Sequence, residues 1–409
     1  MSFAFPTETV KEGMISVQVP KLKTLGKEPW ECAFSKAPVF YNPRMELNRD
    51  LAVLALQTYQ RMVKRKLSAC EPLTGCGVRG VRLAIEVEDV QKVVINDISP
   101  EATKLAQFNV KSNKVAKRVE VLNEDANLLL SKYAAPRKRF DYVDVDPFGS
   151  PSPYMDSTVR ALRNGSLLAL TATDMAPLCG VHPKACIRKY GGKPLRTEYC
   201  HELALRLLIG CLGMTAAKHD VGIRVVFSYS IYNHVRTYAI LSYGAKEADK
   251  NVRAMGYILH CFECFHRETT KGMVPLLKRD CPECGSKLHV AGPLWLSEMW
   301  DEKFCVQMKK EVKARNLRLG EKIFKMLYSV IEESKAPATY YVIDKICDKF
   351  NLPMPSLSKT IGELRKTGFQ AVATHFNSKA VRTNASAKVV REVVTRLSGS
   401  KTNHLSETN

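Results

Sequence analysis

No apolar run in this 409-residue sequence reaches the ~18 residues that a membrane span requires. The best candidate, Leu203 to Ala217, is interrupted by Arg206, so no membrane association is expected. Arginine is absent before Arg44, while Glu8 and Glu12 are acidic. The N-terminus therefore resembles neither a secretory signal nor an arginine-rich transit peptide. Without a signal, the 13 cysteines point to a reducing, cytoplasmic compartment, where grouped thiols bind metal more often than they pair. Acidic charge is also short, with 41 Asp and Glu against 62 Lys and Arg, a net +21. Such an excess is the footprint of a polyanionic partner. Residues 301–409 hold 20 basic and 11 acidic side chains, or +9 of that total, which marks the tail as the phosphate-binding surface. The length exceeds one compact core and predicts two or three domains.

One stretch organises the rest. Phe140-Asp141-Tyr142-Val143-Asp144-Val145 reads as a buried strand that delivers Asp146-Pro147-Phe148-Gly149 to a loop. A carboxylate and a neighbouring carbonyl can accept the N–H bonds of a planar amine, proline stiffens the corner, and the exposed ring can stack on a base. An ordinary strand-to-helix turn uses the same residue types, so this stretch alone does not decide between the two.

Upstream, a helix is predicted from Asp50 to Lys64, with Arg49 at its start. The positive helix end disfavours a cation unless an anion lies nearby, so Arg49 reads as a ligand contact. Gly75-Cys76-Gly77-Val78-Arg79-Gly80 follows a short strand and satisfies G-x-G-x-x-G, a weak match that allows close approach of a ligand to the backbone around Gly75 and Gly77. Val93 to Asp97 supplies a second strand, with Asp97 placed to meet ribose hydroxyls, and Ser99-Pro100 caps the next helix. Val119 to Leu122 is a third strand, with Asp125-Ala126 at an adenine edge. A helix from Pro153 to Arg163, a strand from Gly165 to Asp174, a helix from His201 to Lys218 and strands at Gly222–Tyr229 and Thr237–Tyr243 complete a seven-stranded, mainly parallel α/β sheet.

Two C-x2-C knuckles, Cys261/Cys264 and Cys281/Cys284, lie 16 residues apart, a spacing suited to one structural, tetrahedral zinc. Cys179, His182 and Cys186 also have metal-like spacing, but no fourth ligand is paired with them, and they are not read as a site. Beyond Asp301, a basic helical segment from Lys303 to Val330, helices at Thr339–Phe350 and Ser356–Thr367, and a polar, basic wing from Thr374 to Asn384 suggest a winged-helix arrangement. The expected organisation is an α/β-sheet domain with an N-terminal extension at 1–250, a zinc module at 251–300, a basic phosphate-binding domain at 301–397 and a disordered tail at 398–409.

Three function classes fit parts of this pattern. A nicotinamide-dependent dehydrogenase accounts for the glycines and Asp97 but not for the Asp-Pro-Phe corner, the knuckles or the basic tail. A non-catalytic zinc-containing RNA-binding protein accounts for the charge but not for acids aligned on strand ends. Methyl transfer from S-adenosylmethionine to nucleic acid accounts for all of them. A pyrimidine C5 reaction would need a cysteine beside the target ring. Position 148 is phenylalanine and Cys179 is distant, so an exocyclic amine is the better target.

Phe40-Tyr41-Asn42-Pro43-Arg44-Met45, Asn48-Arg49-Asp50, Asp144-Val145-Asp146-Pro147-Phe148-Gly149, Thr171-Ala172-Thr173-Asp174, Pro177-Leu178-Cys179-Gly180 and the segment from Thr374-His375-Phe376 to Arg382-Thr383 resemble the tRNA (guanine-N2)-dimethyltransferase family. The resemblance spans nearly the whole chain. It implies a class I, Rossmann-like methyltransferase fold, S-adenosylmethionine as donor, guanine 26 of tRNA as acceptor, and a C-terminal domain that helps hold tRNA. No obligate protein partner is implied. By the same resemblance, Arg49 and Arg79 contact the cofactor with Asp97, Asp125 and Ala126. Asp146 accepts the N–H bonds of the guanine amine, and Phe40 and Phe148 sandwich the flipped base. The four cysteines place the chain with the zinc-bearing members.

Overall fold

The computed structural model of the protein describes residues 3–21, 37–231 and 233–399. An antiparallel hairpin, β1 (Thr7–Glu12) and β2 (Ile15–Pro20), comes first, followed by helix α1 (Glu46–Val63). Next come β3 (Leu67–Glu71), α2 (Val78–Glu86), β4 (Val90–Asn96), α3 (Pro100–Ser112), β5 (Val119–Leu122) and α4 (Ala126–Lys132). The alternation continues through β6 (Phe140–Val145), α5 (Met155–Ala161) and β7 (Leu162–Ala172). Helices α6 (Met175–Leu178), α7 (Pro183–Tyr190) and α8 (Cys200–Ala217) lead to β8 (Val221–Ile231) and β9 (His234–Tyr243).

Seven of these strands form one sheet in the order β5-β4-β3-β6-β7-β9-β8, and β5, β4, β3, β6 and β7 run parallel. Strands buried on both faces read as continuous apolar runs. Val93-Val94-Ile95 in β4 and Leu167-Leu168-Ala169-Leu170 in β7 are fully buried. Ser99 caps α3 by accepting the Ala102 N–H at 3.2 Å, with Pro100 in the first turn, as their residue types predict.

The chain packs as two compact units. The first comprises Met1–Thr171, Tyr238–Tyr243 and Val306–Lys325, and the second comprises Ala172–Thr237, Gly244–Cys305 and Met326–Asn409. In the second, α9 (Ala245–Arg253) precedes a three-stranded antiparallel sheet of order β11-β10-β12, built from β10 (Met255–His260), β11 (Arg267–Lys271) and β12 (His289–Trp295). Helices α10 (Glu302–Lys313) and α11 (Gly320–Glu333) follow along the chain, with Val306–Lys325 belonging to the first unit and the chain rejoining the second at Met326. Then come β13 (Tyr341–Val342), α12 (Ile343–Phe350), α13 (Leu357–Lys366), β14 (Ala371–Thr374), β15 (Asn377–Thr383) and α14 (Ala387–Gly399).

Three expectations change. The segment from Lys303 to Val330 is two helices, because Asn316 and Gly320 are poor helix formers. The Thr374–Asn384 segment does not present all its polar groups outward. Arg382 is fully buried, donating to Glu333 at 3.0 Å, Glu202 at 2.8 Å and the Pro337 carbonyl at 2.8 Å. Thr374 and His375 also bond Glu333. Finally, α14 covers Leu364 and Val381 in a shared apolar cluster and takes Ser398 and Gly399 into a helix, while residues 400–409 of the expected tail lie outside the described residues.

Helix α8 is long and apolar enough to cross a membrane by length and composition, yet 67% of it is buried inside the protein. Its Glu202 and Arg206 pair at 2.8 Å, and Glu202 also holds Arg382. A side-chain ion network of this kind belongs to a protein core rather than to lipid.

Candidate active site and metal centre

The C-terminal ends of the parallel strands gather the candidate residues of the first unit, as an open α/β sheet dictates. After β3, Gly75 has φ +57°, and a Cβ there would stand 3.0 Å from the Phe40 carbonyl oxygen. Only glycine lets the loop pass so close to Phe40. Gly77 stands in the N-cap position of α2. The Gly75 N–H donates to Asp97 Oδ2 at 2.8 Å, and the Ser99 N–H to Asp97 Oδ1 at 3.0 Å, so the backbone of both loops orients this carboxylate. Asp125 caps α4, accepting from Asn127 and Leu128 N–H at 2.9 and 3.0 Å, and Ala126 is buried behind it. Two large apolar side chains beside these acids, Ile98 and Leu128, are 68% and 53% exposed. Sequence reasoning missed both; the available signal was an apolar residue close behind a strand-end acid, one position after Asp97 and three after Asp125.

Arg79 is buried where α1, β3 and β6 converge. Its guanidinium donates to Glu71 at 3.0 Å, to Asn48 at 2.8 Å, to Asp144 at 3.1 Å and to Asp146. Glu71 in turn accepts the Gly80 N–H at 3.0 Å and the Thr74 hydroxyl at 2.5 Å. Burial pushes the Glu71 carboxyl up to about 7, against the pull of Arg79. A single cation thus ties the glycine loop to the Asp-Pro-Phe corner.

Arg49 does have the anion its position called for, and it belongs to the protein. Both oxygens of Glu12 bind its guanidinium at 2.6 Å. Burial works to raise the Glu12 carboxyl, but Arg49 and Arg82 outweigh it and hold it at about 2. Glu12, like Glu71, escaped sequence reasoning because nothing local marks it.

At the corner itself, the Asp146 side chain is 14% exposed, Pro147 is buried and Phe148 is 68% exposed. The rings of Phe40 and Phe148 touch edge to face, with centroids 4.4 Å apart and planes at 79°. The structure therefore brings together Asp146, Phe148, Phe40 and Arg79, but leaves no parallel slot between the two rings. A cavity of about 750 Å³ opens at the other end of the sheet, lined by Lys66, Lys92, Lys117, Glu120 and Arg163. Its Lys92 is paired with Glu120 at 2.7 Å and its Arg163 with Asp141 at 3.4 Å, and none of the strand-end acids lines it.

In the second unit, Cys261, Cys264, Cys281 and Cys284 converge, with all four sulfurs within 4.8 Å of one another. The Cys261–Cys284 and Cys264–Cys281 sulfurs are 3.5 Å apart, close to the ~3.8 Å edge of a tetrahedron of thiolates about 2.3 Å from zinc. The two knuckles share a backbone pattern: Phe265 N–H to Cys261 O at 3.0 Å and Gly285 N–H to Cys281 O at 2.9 Å. The residues fit a structural zinc. Chelating that metal is expected to strip hydrogen-exchange protection from Met255–Trp295 while β3, β4 and β6 stay protected. Unchanged protection after the metal is lost would refute a structural role.

A family model described as N2,N2-dimethylguanosine tRNA methyltransferase matches residues 13–395. A tRNA (guanine(26)-N(2))-dimethyltransferase of Methanobrevibacter smithii is 41% identical, over 97% of this chain and 99% of its own. A tRNA (guanine(26)-N(2)/guanine(27)-N(2))-dimethyltransferase of Aquifex aeolicus is 36% identical over 95% of this chain and 96% of its own. Among solved structures, Trm1 from Pyrococcus horikoshii in complex with S-adenosyl-L-methionine superposes with a TM-score of 0.83 at 32% identity, covering 95% of this chain and all of that one.

Proposed function

The chain belongs to the N2,N2-dimethylguanosine tRNA methyltransferase family, and from that premise we propose how its residues carry the reaction. It is an enzyme that transfers methyl groups from S-adenosylmethionine to the N2 amine of guanine 26 in tRNA, giving N2-methyl and N2,N2-dimethylguanine. The observation that supports the site assignment is the Asp146-Pro147-Phe148 corner, held by Arg79 to the same glycine loop that orients Asp97.

In this reading Asp97 takes the donor's ribose hydroxyls and the Asp125-Ala126 segment its adenine, with Ile98 and Leu128 offering apolar surface to the ring. Gly75 and Gly77 let the backbone approach, while Arg49 and Arg79 face the donor's carboxylate and exchange part of their carboxylate bonds for it. The bound donor supplies an electrophilic methyl group. The guanine amine is a weak nucleophile because its lone pair is delocalised into the ring. By accepting its N–H bonds, Asp146 and the neighbouring Pro147 carbonyl raise electron density on that nitrogen and aim it. Arg79 sets the orientation of the carboxylate that does so.

The flipped base enters between Phe40 and Phe148, so their edge contact must open. Stacking on both faces needs planes about 7 Å apart, twice a ~3.5 Å contact. Exposed Phe148 has the freedom to turn. Extruding a base costs a few kcal/mol, and stacking returns ~1–3 kcal/mol per contact, so the rings offset the flip. The +21 net charge serves the tRNA backbone, and free cysteines suit a cytoplasmic protein.

Incubation with donor and unmodified tRNA, followed by mass-spectrometric mapping of methylated nucleosides, tests the assignment. A signal at position 26 that disappears when that guanine is substituted is expected; methylation confined to another position would refute it. Affinity for tRNA should also fall about 10³-fold between 50 and 200 mM salt if some six phosphates are neutralised. A flat titration would exclude electrostatic docking.

A further inference from the structure

We propose that Cys179, Cys200 and His201 form a second metal site, selective for a borderline-soft divalent cation such as zinc and leaving one coordination position open. The ligand atoms of these three residues lie within 4.8 Å of one another, and each residue is partly exposed, so an ion can reach them. They take no part in the donor edge, the Asp-Pro-Phe corner or the four-cysteine cluster.

The backbone builds the juxtaposition. Cys179 ends the short helix α6, and Gly180 follows it with φ +88°. A Cβ on Gly180 would lie 2.8 Å from the Arg196 nitrogen and 2.9 Å from the Leu195 carbonyl carbon. Glycine is therefore required twice over, by its dihedral and by the contact. This approach seats the Cys179 turn against the segment that enters α8 four residues later, where Cys200 and His201 occupy the first two positions. The sequence spacing of Cys179, His182 and Cys186 suggested a different grouping. The fold leaves His182 and Cys186 out of the ligand cluster and supplies two donors from α8 instead.

The donor set defines the ion. Two thiolates and one imidazole make a nitrogen–sulfur set that suits zinc, and three protein ligands leave the fourth tetrahedral position to water or an added ligand. Hard cations such as magnesium prefer oxygen and would be rejected. A disulfide between Cys179 and Cys200 would make no use of His201, and a reducing compartment disfavours it. An ion here pins the Met175–Gly180 turn to the first turn of α8.

Full-length protein, purified with its metal and dialysed into metal-free reducing buffer, is expected to carry two zinc ions per chain by plasma mass spectrometry. Cys200→Ser and His201→Gln should each carry one. Cobalt substitution keeps the test decisive, because the spectrum of the four-thiolate cluster must persist in both variants and report that they are folded. One zinc in the unaltered chain would overturn the proposal. So would a second zinc that survives both substitutions, or a Cys179–Cys200 disulfide that persists in that reducing buffer.

Discussion

Asp146→Ala protein is expected to bind S-adenosylmethionine with near-normal affinity and to transfer methyl groups about 10²–10⁴-fold more slowly, the range over which a positioned proton acceptor contributes. The Asp146 side chain is 14% exposed, while Arg79, 4% exposed, keeps Glu71, Asp144 and Asn48 as partners when Asp146 is lost. Removing the side chain therefore deletes the acceptor without stranding a buried cation, and the glycine loop and Asp97 retain their bonds. Equilibrium binding of the donor and single-turnover transfer to tRNA separate the two effects. An Asp146→Ala enzyme with unimpaired single-turnover transfer would remove Asp146 from amine activation. Loss of donor binding alone would make it a cofactor residue instead.

Substituting Arg382 should destabilise the second unit more than any surface change could. The guanidinium is fully buried between Glu202 and Glu333, donates to two backbone carbonyls, and lies 5.6 Å from the Trp300 ring. Breaking a buried pair by deleting one partner costs about 3–5 kcal/mol, because the remaining charges stay buried. Arg382→Met should lower the denaturation midpoint followed by tryptophan fluorescence, and Arg382→Lys should not restore it, since an ammonium cannot span four acceptors in a plane. Acid acts on the same network. Burial alone would raise the Glu202 carboxyl, but Arg382 and Arg206 hold it near 2, below its ordinary 4.5. Its contribution is complete above pH 4.5 and is lost as pH falls toward 2. If Arg382 instead served as an exposed tRNA contact, the substitution would weaken tRNA binding and leave the midpoint unchanged.

The parts of the site legible in the sequence are those whose chemistry is local. The Gly75 loop, Asp97 at a strand end and the Asp146-Pro147-Phe148 corner each announce themselves within a few residues, as do the paired knuckles. Partners distant in sequence stayed hidden. The cation at the start of α1 rightly demanded an anion, but Glu12 lies 37 residues upstream on a hairpin. Arg382 read as part of a basic surface, because nothing near it discloses that Glu202, 180 residues earlier, draws it inward. The resemblance places Phe40 and Phe148 on either side of a base; their rings do meet, but edge to face, a geometry that no residue type announces. The fold class was readable because an alternation of apolar strands and helices has few solutions. The break between α10 and α11 was harder, because charged helix formers surround Asn316 and mask it.

The link between Glu202 and Arg382 also sets a timetable for synthesis. At roughly 5–20 residues per second, a ribosome needs about 10–40 s to add the 180 residues between them. Throughout that interval α8, the apolar helix with the composition of a span, has emerged without the strand that completes its charge network. The nascent chain therefore passes through a window in which Glu202 of this apolar helix has Arg206 but not Arg382 as its partner, and translation past β15 closes that window.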